Sequence, residues 1–82
     1  MKYKVIGWES DCSNDVDCLI ICVDNEIDAQ NVAINLTPSK TCTPPIEVKA
    51  QGEKVVISVS RKAKVNKERI ENDFCALIRS LN

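Results

Sequence analysis

Eighty-two residues make one small domain, and a chain of this length buries only about 60% of the surface its unfolded form exposes. With 44% hydrophobic and 28% charged residues and a net charge of -1, the chain is neither disordered nor a polyelectrolyte. It has no histidine, two glycines and three aromatics (Tyr3, Trp8, Phe74), which excludes Ser–His and Cys–His catalysis and Gly-rich phosphate loops.

The N-terminal run Met1 to Glu9 turns acidic at once and lacks the apolar stretch of a secretory signal. Its alternation predicts a first strand, with Tyr3, Val5 and Gly7 on one face and Lys2, Lys4, Ile6 and Trp8 on the other. Residues 10–17, SDCSNDVD, read as a polar loop. The longest apolar run, Cys18 to Val23, has the length of a strand buried on both faces and is far short of the roughly 20 residues that span a bilayer. A soluble, intracellular, cytoplasmic protein is expected.

Asp24 or Asn25 can cap a following helix, because a side-chain oxygen there accepts from its orphan N–H groups. Ala29, Val32, Ala33 and Leu36 supply helical spacing, and Pro38 ends the helix. Glu26 and Asp28 sit in its first turn, where the helix dipole favours acids. Residues 39–45, SKTCTPP, form a rigid loop. Next, IEVKAQGEKVVISVS reads as a hairpin turning at Gly52, with Ile46, Val48, Ala50, Val55, Ile57 and Val59 on one face. After a basic connection, Asn66 caps a last helix carrying the stripe Ile70, Phe74, Leu77, Ile78 and Leu81.

The predicted class is therefore α+β: a small antiparallel sheet in β-β-α-β-β-α order with two helices on one face. The N-terminal strand and acidic loop (1–17) precede a β-α-β-β-α core (18–82). The second sheet face is only partly apolar, so it is either solvated or covered by a partner.

Five cysteines (12, 18, 22, 42, 75) are an odd number without a CxxC pair. They read as free thiols acting as small core hydrophobes. A Cys12–Cys18 or Cys12–Cys42 bridge and a thiolate zinc site are the alternatives, the latter short of ligands without histidine. No cofactor or metal is implied. The acid pairs Asp15/Asp17 and Glu26/Asp28 read as loop and cap residues rather than acid–base catalysts, and no enzyme is expected.

Charge is segregated along the chain. Residues 1–36 carry seven acids and two lysines, whereas residues 37–82 carry nine bases and five acids. Five cations, Arg61, Lys62, Lys64, Lys67 and Arg69, fall within nine residues. They are candidates for phosphate contact, salt-sensitive and indifferent to sequence. No aromatic interleaves them, so base stacking is not offered. The same cluster suits a solvated loop or docking on an acidic protein surface, including the acidic part of a second copy.

From Cys18 onward the sequence resembles the Pcc-type small subunit of the KEOPS complex, the family that includes the CTAG cancer/testis antigens. The segments CLIICVDNEIDAQNVAINLTP, IEVKAQGEKVVISVS and ERIENDFCALIRSL carry the resemblance, through Ala29, Leu36, Pro38, Gly52 and the Asn72-Asp73-Phe74 step. Ser39 stands where the family usually has an acid, Arg69 lies three rather than four residues before Asn72, and the first strand lacks an obvious counterpart. The resemblance implies a non-catalytic subunit forming self or paralogue dimers whose sheets join edge to edge. It implies docking on the ATPase-like catalytic subunit that installs threonylcarbamoyl-adenosine in tRNA, and help in holding the tRNA. Asn72, Asp73, Ala76 and Arg79 would then face the protein partner. The alternative is a stand-alone protein-binding module or inhibitor of similar fold. A thiol-based metal or redox module is the third reading.

Overall fold

The computed structural model describes residues 2–11, 13, 15–36, 46–62 and 66–81. Six elements follow in order: β1 (Tyr3–Asp11), β2 (Val16–Val23), α1 (Glu26–Leu36), β3 (Ile46–Gln51), β4 (Lys54–Ser60) and α2 (Lys67–Ser80). The four strands form one antiparallel sheet in the order β1-β2-β4-β3. The expected α+β architecture, two helices on one face of a small antiparallel sheet, is what the chain adopts. The segment from β2 through α1 to β3 leaves room for β4 between two parallel strands, so β4 is central.

Period-two alternation builds the core. Leu19, Ile21 and Val23 of β2 and Val55, Ile57 and Val59 of β4 point to one side and are buried. Ala29, Val32 and Leu36 of α1 and Phe74, Cys75 and Ile78 of α2 close over them. Asn25 caps α1 as read from the sequence, its Oδ1 accepting from the Asp28 N–H at 2.8 Å. Asn66 caps α2 in the same way, accepting from the Arg69 N–H at 3.1 Å. The hairpin turns on Gly52 and Glu53. Gly52 has φ 61 and is the first loop residue, the place a type II′ turn reserves for glycine.

Four expectations change. First, residues 10–17 are not all loop: β1 runs on to Asp11 and β2 begins at Val16. Second, β1 does not alternate strictly. A bulge between Val5 and Gly7 inserts one residue, so Val5 faces Ile21, Gly7 faces Ile20 and Trp8 faces Leu19. Trp8 thereby turns inward, packing with Tyr3 and Val5 against the core rather than lying opposite them. Third, β2 is buried on one face only, because Cys18, Ile20 and Cys22 are half-buried on the side without helices. Fourth, in α2 the buried stripe runs through Phe74, Cys75 and Ile78, while Leu77 is 46% and Leu81 39% exposed.

Gly7 takes φ 134 in the bulge, and an added Cβ there would meet nothing within 4 Å. The cost of Gly7→Ala is therefore one of backbone conformation. Urea unfolding should show a loss of about 1–3 kcal/mol with an unchanged m-value.

Candidate interaction surfaces

The cation cluster between β4 and α2 does not stand alone. Pairing of Val16 with Ser60 sets the start of β2 beside the end of β4. Asp17, on the helix-covered side, thus meets the bases that follow β4. Its Oδ1 accepts from Arg61 Nε at 3.3 Å and its Oδ2 lies 3.1 Å from Lys67 Nζ. Ser10 Oγ donates to the same carboxylate at 3.1 Å. The Arg61 N–H also donates to the Asp15 carbonyl at 3.0 Å, and Asp15 takes φ 55, a conformation aspartate tolerates. Lys67 Nζ stands 5.5 Å from the Trp8 ring centroid, a cation–π contact. Two of the five cations are therefore tied to the acidic half of the chain. Lys62 and Arg69 are exposed and lie within ion-pair reach of no acid among the described residues. Lys64, like the loop at 39–45, Cys12 and Cys42, lies outside the described residues.

The hydrogen bond from Lys67 holds the Asp17 carboxyl below the usual carboxylate range; partial burial opposes this, and Ser10 and Arg61 add to it. A depressed folded-state pKa stabilises the protein fully above the ordinary carboxylate range, and that contribution is lost as pH falls through it. The melting-temperature difference between wild type and Asp17→Asn should be constant above about pH 5 and shrink below about pH 4. A difference that grew on acidification would contradict the pairing.

The outer side of α2 is a second surface. Asn72, Asp73, Ala76 and Arg79 are all exposed there. Asp73, Ala76, Leu77 and Ser80 line a shallow depression. The half-exposed Leu77 and Leu81, which the sequence pattern assigned to the core, belong to this outer side instead.

The third surface is the sheet face opposite the helices. Its cross-strand rows read Asp11–Val16–Ser60, Glu9–Cys18–Ser58–Glu47, Gly7–Ile20–Val56–Lys49 and Lys4–Cys22–Lys54–Gln51. Cys18 Sγ is 3.5 Å from Ser58 Oγ. Small and apolar side chains form the floor, and Glu9, Asp11, Glu47, Lys49 and Gln51 rim a trough over it. Nothing in the chain's described residues packs on this floor.

Cys18, Cys22 and Cys75 are free thiols, so the Cys12–Cys18 bridge is not formed. Burial pushes the Cys75 thiol up, with Glu71 adding to the effect. Among the described residues no three Cys, Asp or Glu side chains cluster as metal ligands, and no helix is long and apolar enough to cross a membrane. Compared with protein-family models, curated proteins and solved structures, the chain matches none.

Proposed function

We propose that the chain is a non-catalytic, dimer-forming accessory subunit of a tRNA-modifying assembly, the one that installs threonylcarbamoyl-adenosine. The outer side of α2, with Asn72, Asp73, Ala76 and Arg79, docks on the ATPase-like catalytic subunit. The β4–α2 junction helps hold tRNA in the cytoplasm, through Lys62, Lys64 and Arg69, flanked by Arg61 and Lys67. One observation carries the reading: the molecule presents surfaces for company on both layers, exposed Leu77 on α2 with Leu81 at its end, and an uncovered sheet face behind it. The order from β2 to α2 and the resemblance of its segments supply the tRNA context.

A second reading, a protein-binding module without a nucleic-acid role, is favoured by the engagement of Arg61 and Lys67 with Asp17, which thins the basic patch. The two separate on pull-down from the native organism with and without nuclease, joined to tRNA retention at low salt. The subunit reading expects retention that falls with salt. Neutralising Lys62, Lys64 and Arg69 to glutamine should weaken it equally for all RNA sequences and lower the salt slope by about one unit per cation. No retention at low salt, with one protein partner captured regardless of nuclease, would replace it by the second reading.

A further inference from the structure

The uncovered sheet face has an ordered charge pattern. Glu9 and Asp11 stand at one end of β1, and Glu47 near the same end of β3. Lys4 and Lys54 stand at the other end, with Lys49 between. Glu47 and Lys49 pair with each other at 3.1 Å, so the face is neutral as a whole and its polarity along the strands is set by Glu9 and Asp11 against Lys4 and Lys54. The rest of the floor, Val16, Cys18, Ile20, Cys22, Val56 and Ser58, is uncharged.

We infer that this face receives the same face of a second copy, the two sheets stacking with acidic end over basic end. A two-fold axis parallel to the strands would lay acid on acid. An axis in the interface and perpendicular to the strands reverses their direction and sets Glu9 near the second copy's Lys4, and the reverse. Only that orientation is self-complementary, as an isologous interface requires. Stacked sheets sit about 10 Å apart, room for one interdigitated layer of side chains such as Ile20 and Val56.

The sheet edges are poorer sites. β1 is interrupted by its bulge, and β3 is only six residues long with Glu47, Lys49 and Gln51 projecting from it; both are devices that blunt edge pairing. The face offers roughly 400 Å² of flat footprint per copy, from strand spacing and rise. Two copies would together bury about 800 Å², less than the roughly 1,000 Å² of a stable interface, so weak and transient self-association is expected. Stacking of this kind leaves both helices outward, and it rests on the proposed function only in taking the chain to act as a dimer.

Sedimentation velocity over a concentration series tests it. Wild type should pass from monomer to dimer. Ile20→Lys, with folding checked by circular dichroism, should stay monomeric. Glu9→Lys and Lys4→Glu should each weaken self-association at least about tenfold. An equimolar mixture of those two variants should recover the dimer, because each acid then meets a base across the interface. Wild type that remains monomeric, a dimer indifferent to Ile20→Lys and Glu9→Lys, or a mixture that stays monomeric would each overturn the inference. These variants leave α2 and Lys62, Lys64 and Arg69 intact. Partner capture and tRNA retention therefore report separately on the proposed function.

Discussion

Replacing Ile57 with alanine should cost about 2–5 kcal/mol in urea unfolding, and Ile57→Val about 0.5–1.5 kcal/mol. Ile57 is completely buried at the centre of β4, paired with Leu19 on one side and Val48 on the other. Helices α1 and α2 close the same cluster, so removing the side chain opens a cavity that no single neighbour can fill. A domain of this size has of the order of 4–12 kcal/mol of total stability. The alanine variant should therefore be partly or wholly unfolded at 37 °C by circular dichroism. A loss below about 1 kcal/mol would mean that the helices do not pack on this face.

The second large effect contrasts two neighbours. Leu19 and Ile20 are adjacent on β2 and point to opposite faces; Leu19 is fully buried and Ile20 half-buried. Leu19→Lys places an ammonium group in the buried cluster beside Ile57, at a cost of several kcal/mol. That variant should not fold. Ile20→Lys sets the same group over the open trough, where water and Glu9 or Glu47 are near. Its monomer should keep the native circular-dichroism spectrum and most of its melting temperature. Unfolding of both variants alike would mean that β2 is covered on both sides.

That contrast is not written in the local pattern of β2. A continuous apolar run such as CLIICV fits a strand buried on two faces, and periodicity inside it cannot say which face stays open. Partners decide: β2 lies between β1 and β4, and both helices fall on the Leu19 side. Alternation from Tyr3 counts one residue per step and puts Trp8 on the outer face, but the bulge at Val5/Gly7 adds one and turns it inward. Its only local sign was Gly7, which the chain needs at positive φ. Helical spacing puts Leu77 in the apolar stripe with Phe74 and Ile78, whereas the helix is rotated so that the smaller Cys75 is buried in its place. What local chemistry controls was legible: the Asn25 and Asn66 caps, the hairpin about Gly52 and the inward set from Ile46 to Val59.

The candidate surfaces divide along the same line. A run of cations is visible in one dimension, but the carboxylate that engages Arg61 and Lys67 comes from Asp17, more than forty residues earlier. The acidic and basic halves of the chain meet inside one molecule because β2 and β4 are neighbours. The end-to-end charge polarity of the open face was likewise invisible, since its acids and bases come from β1, β3 and β4 and align only through the sheet register.

Thiol labelling resolved by peptide mapping, run on the native full chain at rising protein concentration, tests the open face most directly. Cys18 and Cys22 lie on it, and Cys75 lies in the core. In dilute protein Cys18 and Cys22 should react far faster than Cys75, and both should become protected together as concentration rises while Cys75 stays slow throughout. Protection of Cys18 and Cys22 equal to that of Cys75 in dilute protein, or reactivity unmoved by concentration, would contradict an exposed face that binds its own kind.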